Sequence, residues 1–451
     1  MSTGDSPQDT ETQRVSGSLV TGFQVSSSSE ALTVDFLDTT FTFHAQWLHD
    51  AQVDAGPSKD AIDVFTQKGA VARIRNTKLS GQELRSSLDV TWDDGSTSCF
   101  PTIWLRAFAP LVAKPHDSEQ KTPFEASRGW LPTTLKILEF SYKDIFPKDP
   151  YSDTSNATKE QIYDAILKKS SAGIVKVIDL PEPNLEDERQ KENTFVMRVL
   201  KQLFGSVFLH PIRGTEKTFN ISSHHEEDAK RGANLPNYNA IKALLPHADH
   251  AHYIHPSRVQ GLYALEGESQ NTFVSCYAAL ETLNSEAPEL VKYLKSVPMV
   301  IGRVADFYDP PLYQATVDTA ITMEPGMPDH VKRFRWHPHL AGSLLSPYDT
   351  FAEARTAYRA FQEIMRRDTH QLNVLFKPGD LYIWDNFRIL HGRERILTTP
   401  RTVVGQTVPE QVVDDAYRVL KMRRLKGFMD EKWLVHTPLQ QLEEMVRLAE
   451  T

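Results

Sequence analysis

Apolar and polar positions alternate along the early part of the chain. Leu32, Val34 and Phe36 are separated by Thr33 and Asp35, and the pattern resumes at Phe41 and Phe43. A period of two predicts strands with one buried face. Leu88, Val90 and Trp92 repeat it and run into Asp94-Gly95, a hairpin turn signal. Residues 31–112 therefore read as a small β-rich N-terminal domain. Residues 1–30, rich in Ser, Thr, Gly and Gln, read as a disordered tail, and the polar, proline-bounded stretch within 113–130 reads as a linker.

From residue 131 to 451 the periodicity is mixed and predicts a second domain. Ile162, Ala165 and Ile166 share one face of a helix over Thr158–Lys169, and Tyr358, Phe361, Ile364 and Met365 do so within Phe351–Arg367. Strands over Leu372–Phe376 and Leu381–Trp384 flank a Pro378-Gly379-Asp380 turn. Thr437-Pro438 announces a C-terminal helix carrying Leu439, Leu442, Met445 and Val446. The one internal echo is Trp47-Leu48 against Trp104-Leu105.

Composition narrows the class. With 451 residues, 40% of them hydrophobic, the chain can bury a sizeable core without a disulfide or a structural metal. Cys99 and Cys276 are the two cysteines, too few for a disulfide framework or a Cys-rich metal site. A net charge of −9 argues against nucleic acid or anionic membranes as partners. The first fifteen residues carry Asp5, Asp9 and Glu11 against Arg14, with neither a secretory apolar core nor the acid-poor character of a mitochondrial presequence. A cytoplasmic location is expected.

Candidate chemistry concentrates in Leu244–His255, where His247, His250, His252 and His255 surround Asp249. On a strand, residues i and i+2 share a face, so His247 and Asp249 can grip one ion. His391 follows a strand-like segment far downstream, in Asn386–Arg393. Two histidines and a carboxylate form the facial triad usual for non-heme Fe(II) oxygenases. The spacing alone fits a solvated His-rich loop or a zinc site as well.

Three segments in order, HADHAHY (247–253), FKPGDLYIWDNFRILHGR (376–393) and RTVVGQTV (401–408), resemble the γ-butyrobetaine/trimethyllysine hydroxylase branch of the taurine-dioxygenase-like Fe(II)/2-oxoglutarate-dependent oxygenases. The resemblance runs from about Leu32 to Val408. It implies a mostly β fold with flanking helices: a double-stranded β-helix (jelly-roll, cupin-like) catalytic core after the small N-terminal domain. It assigns His247, Asp249 and His391 to the iron, and Arg401 to the distal carboxylate of 2-oxoglutarate, with Thr272 supporting it. A planar guanidinium suits a carboxylate because it donates two parallel bonds. The implied reaction consumes 2-oxoglutarate and O2, releases succinate and CO2, and oxidises a C–H bond by hydroxylation, desaturation or ring closure. A homodimer is likewise implied.

The chain also departs from these relatives. Where they carry zinc-binding cysteines and a histidine in the N-terminal domain, it has Gln52, Asp54 and Ser96, so a structural zinc is not expected. An aromatic cage for a quaternary ammonium needs several ring faces. Cage positions here fall on Thr407 and about Thr215, with Phe219 and Tyr238 retained and Tyr253 or Tyr263 as substitutes. RFRWHPH (333–339) places His337 where relatives hold a substrate carboxylate, with Arg333 and Arg335 as further candidates. These departures favour a small amino-acid-derived or specialised-metabolism substrate. A γ-butyrobetaine-type hydroxylase is the alternative within the class, and an inactive fold relative acting as a binding protein is the alternative outside it. His250, His252 and His255 receive no role.

Overall fold

A computed structural model describes residues 19–52, 72–116, 128–148, 153–190, 192–209, 216–223, 243–305, 311–396 and 401–450. The chain divides into two compact units, Met1–Glu125 with Arg418–Thr451, and Ala126–Tyr417.

In the first unit, β1 (Val20–Val25), β2 (Ala31–Phe36) and β3 (Thr40–His44) form an antiparallel meander, and β4 (Ile74–Ser80), β5 (Ser87–Trp92) and β6 (Thr97–Pro101) a second. The β5–β6 hairpin turns at Gly95, whose φ of 85° lies in the left-handed region that a tight turn demands. β1 falls inside the stretch expected to be a disordered tail. Leu19 and Val20 are buried and β1 pairs with β2, so this part of 1–30 belongs to the sheet, against what its composition suggests.

The two Trp-Leu pairs that echo in the sequence meet: Trp47 and Trp104 stack at 5.7 Å, and Trp104 packs on Trp433 at 4.8 Å. Leu425, Trp433, Leu434, Leu442 and Met445 join Leu32, Phe43, Val90 and Phe100 in one core. The C-terminal helices Glu431–Val435 and Leu439–Glu450 thus complete the N-terminal unit, whereas sequence order had placed them with the second domain. Gln52 accepts a bond from Ser98, and Ser96 bonds Asp94 in the hairpin turn, while Asp54 lies outside the described residues.

The second unit is mostly sheet with helices around it. After β7 (Lys114–Pro115) of the first unit come β8 (Leu138–Ser141), β9 (Ile174–Ile178), β10 (Phe219–Ser223), β11 (Leu244–His247), β12 (Ser257–Glu266) and β13 (Ser269–Ser275). Next are β14 (Pro298–Ala305), β15 (Leu312–Thr319), β16 (Ile321–Glu324), β17 (Met327–Phe334) and β18 (Ala341–Leu344). The last are β19 (Gln371–Phe376), β20 (Leu381–Asp385), β21 (Ile389–Arg393) and β22 (Arg401–Pro409). They build one sheet in the order β10-β22-β12-β20-β9-β8, another in the order β11-β21-β13-β19, and two smaller ones, β15-β14-β18 and β16-β17.

Leu262, Tyr382, Trp384 and Val403 of the first of these sheets share a core with Phe273, Phe376 and Ile389 of the second, so their inner faces are apposed. The other face of the four-stranded sheet, with Val274 and Leu390, is covered by the helices Cys276–Glu286, Pro288–Ser296 and Phe351–Met365. Among the described residues no helix is long and apolar enough to cross a membrane.

Candidate active site

β11 and β21 are antiparallel neighbours, and His247 lies opposite His391 in their register, which brings the two rings to 4.3 Å between centroids. Gly392 permits this approach. A Cβ there would stand 2.6 Å from the Leu244 carbonyl oxygen, a backbone atom that cannot yield cheaply.

Asp249 sits just beyond β11, before a turn in which His250 takes a left-handed φ of 62°. Asn386 fixes that turn from the β20–β21 connection. Its Oδ1 accepts from the Asp249 amide at 3.1 Å and its Nδ2 donates to the Asp249 carbonyl at 2.9 Å. The carboxylate then faces both rings, with Oδ1 3.4 Å from His247 Nε2 and Oδ2 3.8 Å from His391 Nε2.

Hydrogen bonding orients this group. His247 Nδ1 donates to the Leu245 carbonyl at 2.9 Å, which turns Nε2 toward Asp249. Gln260 Nε2 donates to Asp249 Oδ2 at 2.6 Å. Burial alone would raise Asp249, but the bond to His247 and the neighbouring His391 and His250 hold it well below the usual carboxylate range. Burial, then the charge of His247, pushes His391 down to about 3. An ionised carboxylate with neutral imidazole is the donor set that a divalent metal takes, because ligand nitrogens must be deprotonated.

A further imidazole belongs to the same cluster. His337 is buried, its ring lies 4.6 Å from that of His247, and its ligand atom falls within 4.8 Å of those of His247 and Asp249. The segment that carries it is tied to the cluster by the Ala248 amide, which donates to the Trp336 carbonyl at 2.8 Å. Two histidines and an aspartate converge, a third histidine stands beside them, and the donor set fits iron in a two-His, one-carboxylate site.

Arg401 opens β22 on the facing sheet. Its Nε donates to Ser269 Oγ at 3.0 Å, while the buried Nη1 has no partner among the described residues. Burial, with Arg393 nearby, pulls it down to about 9, so it stays cationic at neutral pH. A buried cation with a spare donor fits an incoming carboxylate, as 2-oxoglutarate would supply.

Thr272 does not share that position. Its Oγ1 donates to Asn373 Oδ1 at 2.9 Å. Strand alternation puts it on the face of β13 opposite Ser269 and Phe273, so the hydroxyl that meets Arg401 is that of Ser269. Sequence reading also missed Gln260. The signal was a lone polar side chain in the apolar run Val259–Leu262.

Expected substrate contacts scatter. Phe219 lies against Gly405 on the neighbouring strand, and Tyr253 packs on Phe208, His250 and His252. Thr407 is buried beside Gln260, while Tyr238 and Thr215 lie outside the described residues. Arg333 pairs with Asp318 and Glu410. Arg335 pairs with Asp318 at 2.9 Å and spends Nη1 and Nη2 on the carbonyls of Ala251, Tyr253 and Ile254. Arg335 thus holds the loop of Ala251–Ile254, and both arginines are engaged by carboxylates of the chain itself.

Comparison with known proteins gives the same direction. The sequence profile of the family described as "Taurine catabolism dioxygenase TauD, TfdA family" matches residues 153–407, more than half the chain. The human mitochondrial trimethyllysine dioxygenase is 21% identical over 68% of this chain and 66% of its own length, so the match spans slightly less than two thirds of that relative. "Dioxygenase str8" of Strobilurus tenacellus is 22% identical over 90% of this chain and 87% of its own. The γ-butyrobetaine dioxygenase of Pseudomonas sp. (strain AK-1) is 23% identical over 68% and 71%. The human relative's mitochondrial name contrasts with the cytoplasmic location expected from the N-terminal composition.

Proposed function

This chain belongs to the TauD, TfdA family of dioxygenases, and from that premise we propose that it is an Fe(II)/2-oxoglutarate-dependent dioxygenase acting on a small molecule. The observation that carries the reading is the convergence of His247, Asp249 and His391 opposite a buried arginine with an unpaired donor. His247, Asp249 and His391 would hold the iron, and Arg401, steadied by Ser269, the distal carboxylate of 2-oxoglutarate. The double-stranded β-helix expected for the core belongs to this reading, with the two apposed sheets as its halves.

Bound there, iron and 2-oxoglutarate supply O2-dependent oxidation of an unactivated C–H bond, with succinate and CO2 as co-products. The chain's own part is orientation and exclusion of water. Asn386 sets the Asp249 peptide, Gln260 and His247 direct its carboxylate, and Trp384 covers His391 with a ring 5.0 Å away. A dry, fixed setting keeps oxidation on the positioned bond.

We place the substrate among amino-acid-derived or specialised-metabolism molecules, with hydroxylation as the default outcome and desaturation or ring closure as variants of the same site. A homodimer is part of this reading, checked by molar mass in solution. The second reading, hydroxylation of γ-butyrobetaine or a related quaternary amine, is favoured by what two of the relatives act on. Against it stand Thr407 at a cage position and the engagement of Phe219 with Gly405 in sheet packing.

The test is anaerobic titration of metal-free protein with Fe(II), then 2-oxoglutarate, following the weak visible iron-to-2-oxoglutarate band. The band is expected in the wild type and absent in His391→Ala. Iron binding without a band would overturn the role given to Arg401, and failure to bind iron would favour an inactive fold relative. Succinate release triggered by γ-butyrobetaine, but not by amino acids, would favour the second reading.

A further inference from the structure

His252 is 3% exposed, and among the described residues neither ring nitrogen completes a hydrogen bond of ordinary geometry, although the Gln314 side chain lies beside it. Buried polar atoms are normally paired, and one held rigidly without a partner points to a ligand. The ring is held: Arg335 donates to the carbonyls of Ala251 and Tyr253, both at 2.6 Å, on either side of it. Tyr253 packs beside it at 4.5 Å.

The β14–β15 hairpin supplies two further groups. Its register sets Arg303 directly opposite Gln314, with no bulge along the pair. Alternation places Arg303 on the face of β14 that carries the buried Ile301 and Met299. Gln314 shares its face of β15 with Asp318, the partner of Arg335, so the pair points toward the loop that Arg335 fixes. Gln314 Oε1 is buried beside His252 and completes no hydrogen bond of ordinary geometry among the described residues, where Arg303 makes no ion pair either. The Arg303 charge acts on His252, and His252 in turn on His337, which adjoins His247. A line of polar groups thus leads from the metal residues to a guanidinium that makes no ion pair among the described residues.

We propose that Arg303, Gln314 and His252 form a subsite for a carboxylate of the substrate, so that the oxidised C–H lies in a molecule anchored by its anionic end. The guanidinium supplies charge and paired donors, and the amide and the neutral imidazole supply directed hydrogen bonds. This subsite serves the dioxygenase reading above and is separate from Arg401, which belongs to 2-oxoglutarate.

The probes are acetate and acetamide, equal in shape and different in charge. The protein is loaded with Zn(II) and 2-oxoglutarate, so that no turnover occurs and Arg401 is occupied, and its histidines are labelled with 15N. The His252 resonances are identified by their loss in His252→Gln. Acetate is expected to shift them saturably, and acetamide is not. Arg303→Gln should weaken the acetate response at least tenfold, while Arg303→Lys retains part of it. Equal responses to both probes, no response to either, or an undiminished response in Arg303→Gln would overturn the proposal. Binding of 2-oxoglutarate is measured calorimetrically on the same samples and should be unchanged in Arg303→Gln. If it fails in the wild type, the dioxygenase reading falls by itself, and the acetate response still decides the subsite.

Discussion

A side chain's partners fix its role at this site more firmly than its type. Arg333, Arg335 and Arg401 are all arginines in or near recognised segments, yet Arg333 and Arg335 are committed to the Asp318 carboxylate, while Arg401 is bonded to the Ser269 hydroxyl and keeps a buried Nη1 without a partner among the described residues. Arg401→Gln is therefore expected to weaken 2-oxoglutarate binding by about 1.5–3 kcal/mol, the worth of a hydrogen bond to a charged group. Iron binding should be spared, and calorimetry with each ligand separates the two. His252 gives a pH signature. Burial lowers it to about 3, below its unfolded value near 6.5, so the unfolded chain takes up a proton that the folded protein refuses. Its contribution is complete above pH 6.5 and is lost as the pH falls toward 3. Between pH 6.5 and 5.5 the wild type should lose about 1 kcal/mol more stability than His252→Gln, as urea unfolding at each pH would show. Ser269 carried no sequence signal, because a serine in a strand says nothing of which face it shares with an arginine 132 residues away.

Among elements, the short strand β11 and the turn after it decide whether the metal residues meet. Asn386 makes three bonds there, two to the Asp249 peptide and one to the Ser257 carbonyl at 3.1 Å. Asn386→Ala should cost about 2–3 kcal/mol in stability, from bonds lost and backbone groups left unpaired, and should weaken iron binding, read by thermal melting and metal titration. Gly392→Ala should cost about 1–3 kcal/mol through overpacking, since the new methyl meets the Leu244 carbonyl oxygen and the Pro246 nitrogen. Parting β11 from β21 would separate His247 from His391, so reduced metal affinity with intact secondary structure is the expected pattern. The strands around the Pro378-Gly379-Asp380 turn were legible from alternation and turn residues. Their destination was not: β19 joins the sheet of β13 and β20 that of β12, so the turn carries the chain between sheets where a local reading would draw a hairpin.

At the scale of the whole molecule, the first unit closes with the chain's last helices. Trp433 is buried against Phe100 and Trp104, and Trp104 Nε1 donates to Thr437 Oγ1 at 3.1 Å. Trp433→Ala should cost about 3–5 kcal/mol, seen as an early unfolding transition of that unit by tryptophan fluorescence, with the iron site of the other unit retained. The sequence by itself determined the strand and helix periods, the turn residues, the short motifs around His247, Asp249, His391 and Arg401, and through them the family. Those are local or strictly ordered signals, written in spacings of a few residues. Tertiary structure alone decided that Leu425–Leu448 belong with the N-terminal strands, that Ser269 rather than Thr272 faces Arg401, and that Arg335 holds the loop of Ala251 and Tyr253. Each of these depends on which faces meet across long sequence separations. Period and composition show that a face is apolar or polar, but its partner is chosen by packing and hydrogen-bond satisfaction over the folded chain.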